Sequence, residues 1–179
     1  SSQSLAPENP STFYTPMPGT SMAAPHVTGA AALILSLRPT FTSDEVRQIL
    51  TSTARRDGFA TTAPDDRWGN GKLDVEAAIA RAKTARFAVI TGVVITGNVL
   101  TWETDIPTTS AVRFHTHEGQ LQLGKSLGSR TDLTPRTDHM MTLDTLDAGD
   151  YVCEVLAYTR EGLLTVDDNG GAFYLVQIP

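Results

Sequence analysis

A serine at position 21 stands where a chain can present a hydroxyl for chemistry. The run Gly19-Thr20-Ser21-Met22-Ala23-Ala24-Pro25-His26-Val27-Thr28-Gly29 leads into a stretch of small apolar residues that reads as a helix from Met22 to about Leu37. Gly19 permits a sharp turn and a close backbone approach just before it. The first N–H groups of such a helix have no partner within it, and its dipole adds partial positive charge there. A hydroxyl at that mouth lies beside donors suited to a developing oxyanion. Pro25 reads as a first-turn residue, where the N–H it lacks costs little. The chemistry implied is nucleophilic attack by Ser21, which needs a base to accept its proton.

These eleven positions closely resemble the catalytic-serine signature of the subtilisin-like serine proteases, the subtilases. The resemblance implies that Ser21 is the nucleophile of peptide-bond hydrolysis through an acyl-enzyme and that its backbone N–H is one oxyanion donor. It implies that Thr20 orders the turn, and that Pro25 and His26 serve packing. His26 follows Ser21 by five residues on one helix, a poor position for a base. The family orders its triad Asp, His, Ser along the chain, with an oxyanion Asn between His and Ser. The twenty residues before Ser21 are too few for the others. A subtilisin-like enzyme inactive as this chain alone is therefore expected, its Asp, His and Asn lying on an N-terminal catalytic fragment. Protein or peptide is the implied substrate and secretion the implied localisation. No cofactor is evident in this chain, and structural calcium would belong to the part carrying the rest of the site.

Other reactive residues carry plainer readings. His115 and His117 share a strand face and could begin a metal site, but no third ligand stands at suitable spacing, so they read as surface residues. Asp167-Asp168-Asn169-Gly170-Gly171 has oxygen donors without the spacing of a calcium loop, and reads as a hairpin turn. Cys153, the lone cysteine, falls in the inward register of a strand and reads as buried and inert.

Behind Ser21, the apolar residues of the first helix surround it on all sides, which predicts full burial. Arg38-Pro39 ends it. Thr42-Ser43-Asp44-Glu45 reads as a capping box opening a second helix with Val46, Ile49 and Leu50 on one face. Asn70-Gly71 reads as a tight turn, and a third helix is expected over Asp74–Thr84, burying Val75, Ala78, Ile79 and Ala82. Trp68-Gly69-Asn70-Gly71-Lys72-Leu73-Asp74-Val75 resembles the Gly-x-Gly turn that precedes the last helix of subtilases. Residues 1–12 are loop, and Phe13–Thr15 is a short strand arm.

From Phe87 the pattern changes to short strands, expected at 87–95, 99–104, 110–117, 120–123, 139–143, 151–158 and 173–178. Inward alternation assigns Leu100, Trp102, Val112, Phe114, Met141 and Leu143 to a core, with Tyr151, Cys153, Val155 and Ala157 on the sixth strand. Leu146–Tyr151 resembles the tyrosine corner of fibronectin type III domains, Trp102 that family's core tryptophan, and His139 a structural position at a strand start. The expected fold is thus α/β over residues 1–86, the C-terminal portion of a subtilisin-like three-layer fold. An all-β immunoglobulin or fibronectin III-like sandwich follows over 87–179.

The charge distribution divides at the same place. Residues 1–86 carry nine Lys/Arg and eight Asp/Glu, whereas residues 87–179 carry five and twelve, making nucleic acid an unsuitable partner for the second half. No basic-then-apolar leader opens the sequence, and no apolar run reads as a bilayer span. A second reading is a non-catalytic binding or docking module, or a pseudoprotease remnant with Ser21 idle.

Overall fold

The computed structural model describes residues 19–58, 64, 66–116, 128–144 and 146–179. The chain splits into two compact units, Ser1–Lys83 and Thr84–Pro179. The expected arm Phe13–Thr15 and the loop before it, His117 and the expected strand 120–123 lie outside the described residues.

The first unit contains α1 (Thr20–Leu37), α2 (Ser43–Ser52) and most of α3 (Val75–Thr84). At α2 the capping box forms as its sequence requires. Glu45 N–H donates to Thr42 Oγ1 at 3.2 Å, and Thr42 N–H donates to Glu45 Oε2 at 2.7 Å. Val46 and Ile49 are buried. Asp74 caps α3, its carboxylate accepting from Ala77 N–H at 3.0 Å. Ala78 and Ala82 are fully buried, whereas Val75 is exposed.

Between α2 and α3 the chain is pinned by a bridge. Arg55 N–H donates to Lys72 O at 2.7 Å and Lys72 N–H returns to Arg55 O at 2.9 Å. Gly71 makes this approach possible: its φ is 128°, and a Cβ there would lie 2.7 Å from Arg55 O. Lys72 Nζ then reaches Asp57 at 2.6 Å and sits 5.0 Å from the Trp68 ring centroid.

α1 departs from expectation. Only Ala30 and Ile34 are buried, while Met22, Val27, Leu33, Leu35 and Leu37 are exposed. The helix is apolar all round, but nothing among the described residues covers its remaining faces. At 18 residues it is also long and apolar enough to cross a membrane, contrary to the reading that no such run exists. One such helix is weak evidence of a span, because the core helix of a soluble protein has the same composition.

Among the described residues, the second unit forms one antiparallel sheet of six strands. These are β1 (Ile90–Thr96), β2 (Val99–Thr116), β3 (Gly128–Thr142), β4 (Gly149–Tyr158), β5 (Leu164–Asp167) and β6 (Tyr174–Ile178). They follow the path β1-β2-β4-β5, with β3 also on β2 and β6 also on β4. The strands expected at 99–104 and 110–117 are a single strand running through Pro107. Its register shifts between Glu103 and Thr108 and again between Thr108 and Ser110. Proline cannot donate to the ladder, so the strand continues only by bending there.

The first limb of β2 pairs with β1 and β3, the second with β3 and β4. Leu100 and Trp102 from one limb share a core with Val112 and Phe114 from the other, completed by Met141, Leu143, Cys153, Val155 and Val176. In a straight strand, residues ten apart stand about 33 Å from each other. Their common cluster therefore requires the sheet to curl. The result is a curled, half-barrel-like sheet where a sandwich of two separate sheets is expected. β4 is buried on both faces from Val152 to Ala157, so its alternation is not visible as burial.

Candidate active site

Ser21 is the second residue of α1 and is exposed. Gly19 precedes the helix with φ 143°, a conformation that favours glycine. Gly19 O accepts from Met22 N–H at 3.0 Å and Ala23 N–H at 3.2 Å, and no side chain caps the end. The i→i−4 pattern leaves the N–H groups of Thr20 and Ser21 without an acceptor inside the helix. Both point from the positive end of its dipole. Such a terminus can stabilise an anion.

Pro25 lies inside the helix, in its second turn, correcting the first-turn reading. The N–H that would donate to the Ser21 carbonyl is therefore absent, which frees that carbonyl from the helical ladder. His26 Nδ1 lies 2.8 Å from Met22 O, and the residue is exposed together with Pro25. Five helical positions place His26 about 140° around the axis from Ser21. Among the described residues, no hydrogen bond reaches the Ser21 hydroxyl, so no base or orienting carboxylate is assembled on it.

The remaining candidates are dispersed. His115 Nε2 is 3.8 Å from Glu154 Oε1, and its ring meets Phe173 edge-on at 6.0 Å. Glu154 is held by Arg113 at 2.6 Å. No group of three metal-ligating side chains occurs among the described residues. At the 167–171 turn, Asp167 accepts from Asn169 N–H and the Tyr174 hydroxyl, and Asp168 accepts from Gly171 N–H. These carboxylates hold a turn, but it closes no hairpin as expected: β5 and β6 each pair with β4 and not with one another. Burial pushes the Cys153 thiol up to about 12, so it is an inert core residue. His139 is buried in the second unit, far in sequence from Ser21.

One feature of the first unit escaped the sequence reading. An apolar groove of about 480 Å³ runs between α1 and α2, lined by Val27, Ala31, Leu35, Phe41, Val46 and Leu50. The spacing Val27–Ala31–Leu35 marks one stripe of α1 and was the available signal.

Comparison with known proteins bears on this unit. Residues 1–71 match the subtilase family model, peptidase S8. Over 69 residues the chain is 51% identical to subtilisin DY of Bacillus licheniformis, covering 38% of this chain and 23% of that protein. It is 48% identical to subtilisin E of Bacillus subtilis strain 168, covering 38% and 17% respectively. Subtilisin Savinase of Lederbergia lenta is 38% identical over the same length, with 24% of that protein covered. The chain thus spans less than a quarter of the length of these curated relatives. The likeness is thus to one part of the subtilisins and is carried by the first unit.

Proposed function

We propose that this chain supplies the nucleophile-bearing part of a serine endopeptidase, with Ser21 as the nucleophile. The carrying observation is the 51% identity over 69 residues to a subtilisin. The position of Ser21 at an uncapped helix mouth supports it. In this reading Ser21 Oγ attacks the peptide carbonyl as a base takes its proton. The tetrahedral oxyanion is held by the Ser21 backbone N–H and a second donor. Collapse expels the amine, which receives the proton, and water then releases the acyl group.

The base, its orienting carboxylate and the second donor come from an N-terminal polypeptide carrying the family's Asp, His and Asn. This chain is inactive alone. The open face of α1 supports such a companion, since exposed apolar surface of this kind favours burial. Protein or peptide is the substrate, and secretion follows from the family resemblance. No cofactor is assigned to this chain, and any structural calcium belongs to the companion.

The second unit is read as a fibronectin III-like docking domain. Support comes from the Tyr151 hydroxyl, which donates to Asp147 O at 3.0 Å, and from Trp102 buried at the centre of the core. The strand-to-strand order around β2 and β4 is compatible with such a fold closed at continuous corners.

A fluorophosphonate probe tests the assignment. Ser21 is expected to label only when the N-terminal polypeptide co-purifies, and Ser21→Ala is expected to abolish labelling of that complex. Stoichiometric labelling of the isolated chain would overturn the divided site. Failure of the complex to label would leave a docking module or pseudoprotease remnant.

A further inference from the structure

The bend of β2 is fastened by one side chain from β3. Thr104 and Thr108 lie on either side of Pro107, and His139 Nε2 is 3.1 Å from Thr104 Oγ1 and 3.2 Å from Thr108 Oγ1. All three residues are buried. The imidazole stacks on Trp102, with centroids 5.2 Å apart and planes 9° from parallel. Trp102 and His139 are also cross-strand partners in the β2–β3 ladder. The ring therefore joins the two limbs of β2 to each other and to the core.

The hydrogen bonds select a protonation state. Thr104 Oγ1 donates to Ile106 O at 2.9 Å, so toward His139 it is an acceptor. In the clamp inferred here, Nε2 therefore carries the ring proton and Nδ1 a lone pair. Nδ1 is buried and has no hydrogen-bond partner. Protonation would place an N–H and a positive charge at that buried atom.

The groups around the ring decide whether that charge is tolerated. On β3, the Arg136 guanidinium opposes it, while Asp132, the Arg136 backbone and Asp138 favour it. Arg136 is itself paired with Asp132 at 3.1 Å. On β2, Glu103 stands opposite Asp138 in the ladder, and Asp105 is engaged by Arg86 at 3.1 Å and by Val89 N–H at 2.6 Å. β1 presents Gly92 near this position and no charge. The indole face attracts an imidazolium, whereas burial of the ring opposes the charge. Burial of the ring, with Arg136 second, accordingly pulls its proton affinity below that of a free histidine.

We propose that Thr104, Thr108 and His139 form an acid-released clamp, in which neutral His139 holds the β2 corner closed and protonation of Nδ1 lets it open. The sign follows from linkage. The unfolded chain binds the proton more readily, so the stabilisation is complete above about pH 6.5 and declines as pH falls toward the lower folded value. This clamp stands apart from the peptidase reading, because it involves the second unit only.

Hydrogen exchange by mass spectrometry on the full chain tests it, at about pH 7 and about pH 5 with intrinsic rates corrected. Protection of peptides spanning residues 101–110 and 136–141 is expected to fall on acidification, by up to about tenfold per pH unit while His139 titrates. His139→Gln keeps a donor but does not titrate, and is expected to remove this acid dependence. An undiminished acid effect in His139→Gln, or no effect in the unaltered chain, overturns the clamp. If His139→Gln does not fold, the ring carbon and nitrogen resonances of His139 in the unaltered chain decide. The expected result is an Nε2–H tautomer at neutral pH and a titration midpoint coincident with corner opening. A midpoint at or above about 6.5, or titration without a change in corner exchange, overturns it.

Discussion

Gly71 places the tightest steric demand on the first unit. An added Cβ would meet Arg55 O at 2.7 Å at a φ of 128°, so both space and backbone conformation exclude a side chain. Gly71→Ala is expected to lower stability by about 1–3 kcal/mol or more, read from a urea midpoint, because the Arg55–Lys72 bridge must open. Gly69→Ala is the comparison: its φ is 56° and the space around it is open, so only the conformational cost of about 1 kcal/mol applies. Cys153 gives a chemical counterpart. With its thiol pushed up to about 12, it should resist a thiol reagent at neutral pH until the second unit unfolds. Modification at the rate of an exposed cysteine would contradict its burial. Ser21 belongs to the same scale, and its local setting was legible because a helix mouth is specified by neighbours in sequence. The groups that would activate it are not local, and none is assembled on it among the described residues.

The elements show where local rules held and where they gave way. The capping box of α2 depends on Thr42 and Glu45 three positions apart, so it was readable directly. Thr42→Ala should cost about 1 kcal/mol in a chemical denaturation experiment, without altering the fold. β2 behaved differently. Its alternation correctly placed Leu100, Trp102, Val112 and Phe114 inward, yet Pro107 divided it into two expected strands. Pairing of the limbs on either side carries the strand past that break, and β3 likewise runs through Pro135. Near the bend, Asp105 is the acid-sensitive tie to the start of the unit. Its partial burial works against ionisation, but the Val89 N–H and Arg86 prevail and hold its carboxyl below the usual value. Its stabilisation is therefore present above about pH 4 and is lost as pH falls further. Asp105→Asn should flatten the acid limb of a stability–pH curve, and an unchanged limb would show the tie to be energetically idle.

At the scale of the molecule, the two units pose different problems. The second encloses its own core, whereas the first leaves α1 largely uncovered. The isolated chain is expected to bind an apolar dye, and Leu33→Glu, at a residue 51% exposed, should reduce that signal with a stability change within about 0.5 kcal/mol. A large destabilisation would mean that Leu33 is buried in solution. Sequence alone determined the helices, the capping box of α2 and the inward residues of the strands. Each depends on groups a few residues apart or on a simple period. The exposure of α1, the merging of strands through Pro107 and the joining of His139 to Thr104 and Thr108 were decided only by tertiary structure. Burial depends on which surfaces meet, and a hydrogen bond spanning more than 30 residues depends on how the sheet curls.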